Sequence, residues 1–117
     1  MFTINEIANR LASLCEQQQF LQAYQELYSE HAVSIDPINK NEPIEGLASL
    51  MERERQFLAN TEIHAIKVGE PGFAGSYFCV TLSMDFTPKG QDRRKIEELC
   101  VYKAENGRII SQQFFIG

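Results

Sequence analysis

Side chains able to move a proton are sparse in this sequence, and several of them share faces in its C-terminal part. Glu98, Cys100 and Tyr102 alternate along one stretch and, in a strand, project from one side of it. Gln112, Phe114 and Ile116 do the same further on. A carboxyl at Glu98 beside apolar walls has its neutral form favoured by desolvation, and can act as a general acid opposite an ionised carboxylate. Asp36 offers that carboxylate, although an Asp before a proline, here Pro37, is also an ordinary turn residue. The alternative for Glu98 is a solvated rim position paired with Arg93 or Arg94.

Other chemistries find little support. The two histidines, His31 and His64, have no second ligand type at a metal-like spacing, so no metal and no cofactor are expected. His31 belongs to a helix-to-strand corner, where a cation can satisfy terminal carbonyls, and His64 is expected to be a packed or surface residue. The three cysteines, Cys15, Cys79 and Cys100, form an odd set without C-x-x-C spacing, which predicts reduced, mostly buried thiols.

Asp and Glu outnumber Lys and Arg by 16 to 11, for a net charge of −5. The densest basic cluster, Arg93 to Lys95, is flanked by Asp92, Glu97 and Glu98, so its field is cancelled locally and nucleic acid is not expected as a partner. No apolar run approaches the roughly 18 residues of a membrane span, and MFTINEIANR lacks the cationic and apolar regions of a signal peptide. A cytoplasmic protein with no membrane partner is expected. The 117 residues, 44% hydrophobic and 23% charged, fit one globular domain over 1–117.

The elements that must position these groups follow from periodicity. Thr3 and Glu6 form a capping box ahead of Ile7, Ala8, Leu11, Leu14 and Cys15, predicting a helix over about 4–17. After a glutamine corner, Phe20, Leu21, Tyr24, Leu27 and Tyr28 predict a second helix ending near Ser29. Residues 32–36 read as a short strand. Leu47, Leu50, Met51, Phe57 and Leu58 place a third helix over 46–59, with Glu52 to Arg55 on a solvated, charge-paired face. From residue 61 the period changes to two, giving strands at 61–69, 73–87, 95–104 and 108–116 separated by Pro- and Gly-containing turns. Helices followed by a hairpin-connected sheet make an α+β domain, three N-terminal helices packed on a curved, mostly antiparallel sheet.

That order resembles the nuclear transport factor 2-like fold, a cystatin-like α+β cone. LYSEHAVSIDPINKNEPIEG is similar to the segment that joins the second and third helices through the first strand in ketosteroid isomerases and SnoaL-like polyketide cyclases. FCVTLSMDF and CVYKAENGRIISQQFF resemble the later strands and terminal hairpin of that superfamily. The resemblance implies a mostly apolar pocket open at one end, walled by Leu11, Tyr24, Tyr28, Val80, Leu82, Met84, Cys100, Tyr102, Gln112, Phe114 and Ile116. The hydroxyls of Tyr24 and Tyr28 are expected at its mouth. It also implies a homodimer through the outer sheet face, where Tyr77, Cys79, Thr81 and Ser83 project.

In ketosteroid isomerases an Asp at the end of the first strand is the general base, and a Tyr with a protonated Asp forms the oxyanion hole. Asp36 falls on the base. The Tyr falls on Leu11, or on Ala12 if the helix corner carries a gap, and the second Asp falls on Cys100. Leu and Ala cannot donate, and a thiol donates feebly. Each lost donor costs about 3–4 kcal/mol of transition-state stabilisation, so steroid isomerisation is not expected. The preferred expectation is a domain that binds a small apolar molecule. The alternatives are an isomerase- or cyclase-like enzyme with Asp36 as base and Glu98 or Gln112 polarising a carbonyl substrate, and a dimeric interaction module. Asp36 shares a strand face with Ser34, and Val33 shares the other with Ile35, so the role of Asp36 depends on which face turns inward.

Overall fold

In a computed structural model describing residues 1–117, three helices lie against one curved sheet. Helix α1 spans Ile4–Glu16, opened by the Thr3–Glu6 capping box, with Glu6 N donating to Thr3 Oγ1 and Thr3 N donating to Glu6 Oε1. The glutamine corner turns through Gln18 in the left-handed region at φ 60°, and α2 follows over Phe20–Leu27. Strand β1 (Tyr28–Ile35), the two-residue β2 (Ile44–Glu45) and α3 (Leu47–Ala59) complete the first half. Strands β3 (Thr61–Val68), β4 (Gly72–Ala74), β5 (Tyr77–Pro88), β6 (Arg94–Glu105) and β7 (Arg108–Ile116) form the second. The sheet order is β2-β1-β7-β6-β5-β3, with β4 folded back on β5.

The α+β architecture expected from the sequence is present, and its local departures have physical causes. The second helix ends at Leu27, and Tyr28 already has extended backbone at φ −101°, ψ 146°. Tyr28 fits the helical stripe because the first strand residue happens to point inward as well. The strand expected over 73–87 is instead a hairpin, β4 and β5, turned at Gly75 with φ 60°, where glycine has no Cβ to clash. Strand β1 pairs in parallel with β7, a long-range union that no local pattern announces.

One core unites the two layers. The even-numbered residues Phe78 to Phe86 of β5 are all buried beneath the helices, with Ile7, Leu11, Leu14, Leu27 and Leu50 packed from above. Three irregularities shape the wall: β3 slips between Ile63 and Ala65, β7 carries an extra residue opposite Lys103 and Ala104, and β1 shifts its register on β7 between Tyr28 and Val33. Such bulges bend a strand and increase its twist, curling the sheet around the helices. His64 lies at the first bulge, half-buried, with its Nε2 2.8 Å from Thr87 Oγ1, a packing role. His31 is not at a helix end but within β1, exposed to solvent.

Leu50 is fully buried between α3 and the core. Leu50→Ala leaves a cavity there and is expected to lower stability by about 2–5 kcal/mol. Urea unfolding checks this as a fall in midpoint at unchanged slope.

Candidate functional site

Between the helices and the inner face of β5, β6 and β7 lies a cavity of about 460 Å³. Leu11, Tyr24, Tyr28, Leu82, Met84, Cys100, Tyr102, Gln112 and Phe114 all lie on its wall, together with Asp36 and Glu98. Val80 and Ile116 do not. Val80 is buried at the end of the inner face where α1 packs over β3 and β5. Ile116 lies beyond the rim, 41% exposed, in a shallow groove with Ile38 and Phe57. Solvent reaches the cavity past Ile38, Asn39 and Gln56, which are exposed, whereas Tyr24, Tyr28, Tyr102 and Gln112 are buried at its closed end.

The first strand resolves the facing question. Ser34 is fully buried and hydrogen-bonded inside the domain, so its face turns inward, and Asp36 follows it onto the cavity wall. Asp36 also caps the short 3-10 turn Pro37–Asn39, its Oδ1 accepting from Ile38 N at 2.9 Å. The turn role and the cavity position coexist in one carboxylate.

Glu98 is not the rim partner of Arg93 or Arg94. Arg93 makes a two-pronged pair with Asp85 at 2.8 and 2.9 Å, and Arg94 donates to Gln91. Left without a cation, Glu98 faces the cavity, where burial pushes its carboxyl up to about 7, the charges of Asp36 and Glu54 adding to the rise. A second carboxyl behaves alike. Burial raises Glu54 to about 7, with Asp36 adding and Arg53 opposing. The sequence reading placed Glu52 to Arg55 on a solvated face, which holds for Glu52 and Arg55, an exposed pair at 3.3 Å. Arg53 and Glu54 are half-buried and line the cavity instead. Arg53 and Glu54 lie three and four residues after Leu50, one turn along the same helix face, and Glu54 sits one turn before Phe57 and Leu58, so the inward stripe of α3 carries a charged turn where it meets the cavity.

At the closed end lies a hydrogen-bonded knot. Tyr28 donates to Gln112 Oε1, and Gln112 Nε2 donates to Tyr24 Oη and to Ser34 Oγ, both at 3.0 Å. Arg53 Nη2 reaches Ser34 Oγ at 3.0 Å. The hydroxyls of Tyr24 and Tyr28 are therefore deep in the cavity rather than at its mouth. Burial holds all three inner tyrosines, Tyr24, Tyr28 and Tyr102, above the usual phenol range, so they remain neutral donors. Burial likewise pushes the Cys15 thiol up to about 12 and Cys100 up as well, with Glu54 adding at Cys15 and Glu98 at Cys100, which removes them as nucleophiles at neutral pH. No three His, Cys, Asp or Glu side chains gather as metal ligands.

The site thus has apolar walls, two carboxyls that exchange protons near neutrality, a third carboxylate at Asp36, and a cluster of neutral donors with one guanidinium. Because the folded state binds protons on Glu54 and Glu98 that the unfolded chain releases near pH 4.3, folding is favoured at low pH and loses that contribution as pH climbs through about 7. Carboxyl ¹³C NMR is expected to show both groups titrating near pH 7. In Glu54→Gln the Glu98 midpoint falls, because a neighbouring charge is gone. A Glu54→Gln/Glu98→Gln variant should show less loss of stability than the parent between pH 4.5 and 7.5.

Residues 2–116 match the SnoaL-like domain family. Among solved structures, a candidate SnoaL-like polyketide cyclase from Mesorhizobium loti is 25% identical, with a TM-score of 0.88 over 97% of this chain and 99% of that one. A nuclear transport factor 2-like protein of unknown function from Burkholderia xenovorans is 16% identical, with a TM-score of 0.77 over 97% and 82% of the two chains. A protein of ketosteroid isomerase-like fold from Catenulispora acidiphila, in complex with trimethylamine, is 15% identical, with a TM-score of 0.77 over 97% and 86%. No curated protein matches the sequence. The family match over nearly the whole length agrees with the helix order, sheet order and cavity, and the chain belongs to the SnoaL-like domain family.

Proposed function

We propose that this domain takes up a small, predominantly apolar molecule in the cavity between helices and sheet. The observation that supports this is the cavity itself: its volume lies within the range of about 300–1,000 Å³ typical of small-molecule sites, and it combines apolar walls with a few polar groups. A saturable rise in fluorescence of N-phenyl-1-naphthylamine, a neutral apolar probe, is the expected result. Met84→Trp, which puts an indole into the cavity, should weaken that binding at least about tenfold while the far-ultraviolet spectrum stays folded. Absence of saturable binding to the parent protein overturns the reading.

A second reading, proton transfer on a bound carbonyl compound, is favoured by Glu54 and Glu98 near 7 beside the Asp36 carboxylate. Groups poised at neutral pH on a shielded wall suit general acid–base work. Deuterium exchange at the α-carbon of 1-tetralone, followed by proton NMR, is expected to be accelerated by the protein. Asp36→Asn should reduce it about 100-fold or more. Exchange unchanged by that substitution removes Asp36 as the base.

On the outer sheet face Thr81, Leu99 and Phe115 stand in one row across β5, β6 and β7, with Tyr77 nearby, and the large side chains are 42–48% exposed. A second copy of this chain is the proposed cover. The face runs along β6 from Lys103 to Glu97, so a two-fold axis through its middle sets each charge against its opposite. Leu99→Asp is expected to halve the mass in sedimentation, and a parent protein that is already monomeric overturns this. A cytoplasmic setting is proposed on the three free thiols; in addition, no helix is long and apolar enough to cross a membrane.

A further inference from the structure

The open end of the cavity runs on into the groove beyond its rim. Ile38, Phe57, Phe86 and Ile96 wall both, so cavity and groove form one trough. The groove is bounded by the end of α3, the start of β3, the loop joining β5 to β6, and Ile116 at the end of β7. Its apolar floor is left to solvent, with Ile38 77% exposed and Ile116 41%. Apolar surface of this kind, continuous with a cavity, marks a place where part of a ligand can lie.

Around that floor the charge is of one sign. Lys89 and Arg94 line the groove and no carboxylate does, in a chain whose net charge is −5. Asp92, in the same loop, is not part of its lining. The ion pairs of the domain lie elsewhere, so neither cation is neutralised by a neighbour. The rim is also held in place. Lys89 N donates to Asn60 O at 2.8 Å and Asn60 Nδ2 donates to Gln56 O at 2.8 Å, which fastens the loop to the last turn of α3. Arg94 donates to Gln91 Oε1, and its guanidinium carbon lies 5.9 Å from the centre of the Phe86 ring. The ring that walls the cavity therefore also supports a cation of the groove.

The inside of the cavity has the opposite character. Asp36, Glu54 and Glu98 stand on its wall against one guanidinium, that of Arg53. An anion drawn into that space loses its hydration and meets like charge, whereas in the groove it keeps its water and faces two cations. The apolar part of the same molecule gains by leaving water for the walls at Leu82, Met84 and Phe114.

We infer that the ligand is an amphipathic acid, seated with its apolar body in the cavity and its carboxylate in the groove at Lys89 and Arg94. This deepens the apolar-ligand reading and rests on it. The division of charge sets the direction of entry, apolar end first. It also favours the acid over a neutral molecule of the same shape, because only the acid answers the two cations. Two partly exposed charge pairs, each worth a few-fold, give a preference of about tenfold together.

The test displaces bound N-phenyl-1-naphthylamine with decanoate or with decan-1-ol, the same chain without the charge. In the parent protein both are expected to displace the probe, and raising sodium chloride from about 20 to about 500 mM should weaken decanoate several-fold while leaving decan-1-ol within about twofold. Lys89→Gln/Arg94→Gln should weaken decanoate about tenfold, with decan-1-ol and the probe within about twofold. Met84→Trp should weaken both decyl compounds, since their chains need the cavity. Decanoate unchanged in the double variant, or weakened there no more than decan-1-ol, overturns the inference. Decanoate indifferent to Met84→Trp overturns it too, because the whole molecule then lies outside the cavity. If the double variant fails to fold, the salt dependence and Lys89→Gln alone still decide. A bound probe that decanoate cannot displace defeats this inference alone, whereas no binding of the probe or of either decyl compound defeats the apolar-ligand reading and the inference with it.

Discussion

A single carboxamide, Gln112, holds the inside of this domain together. It is almost fully buried on the last strand, and through its two ends it touches α2, the start of β1 and the end of β1. A buried amide without partners is strongly unfavourable, so the positions of Tyr24, Tyr28 and Ser34 are tied to each other and to β7. From this the rest follows. Ser34 held inward fixes the face of β1, which puts Asp36 on the cavity wall, and Ser34 in turn draws Arg53 and with it the inner edge of α3. Because polar partners rather than side-chain bulk fill this region, the space above it stays open where an apolar core would have closed.

The charges of the cavity are spread along its length: Asp36 lies by the exposed Ile38 and Asn39, whereas Glu54 is felt at Tyr24 and Tyr28 near the closed end. Desolvation keeps Glu54 and Glu98 near the neutral point, and at both it outweighs the added push from the Asp36 charge. A site of this kind changes its charge with modest changes of pH, while its tyrosines do not, since burial holds them neutral.

Most of the architecture was legible because each element carries its own period. The capping box of α1, the apolar stripe of α2 and the strict alternation of β5 are local signals that the fold obeys. The parallel union of β1 with β7 was not legible, since pairing between distant strands leaves no mark in either segment. The site was read less completely. Asp36 reached the cavity as the family resemblance implied, and Glu98 reached it because alternation fixes which way a strand residue points. Arg53 and Glu54 escaped notice: they occupy the turn between Leu50 and Phe57 on the inward face of α3, and a charged turn inside an apolar stripe looks solvated until the sheet is seen to leave a cavity beneath it. Val80 and Ile116 erred oppositely, sharing the correct face at positions where α1 covers it or the strand runs out.

The pairing of the first strand with the last also orders events in time. Ser34 finds its amide partner 78 residues further along the chain, and β1 gains its parallel ladder only once β7 is present. Loop closure over such a span is slow compared with hairpin formation, so β5, β6 and β7 are free to assemble as a meander before the N-terminal half docks. During synthesis the helices emerge first but have no sheet to cover, and their apolar stripes must wait. The cavity is therefore a late product of folding. A nascent chain has no pocket to occupy until its final strand has been made.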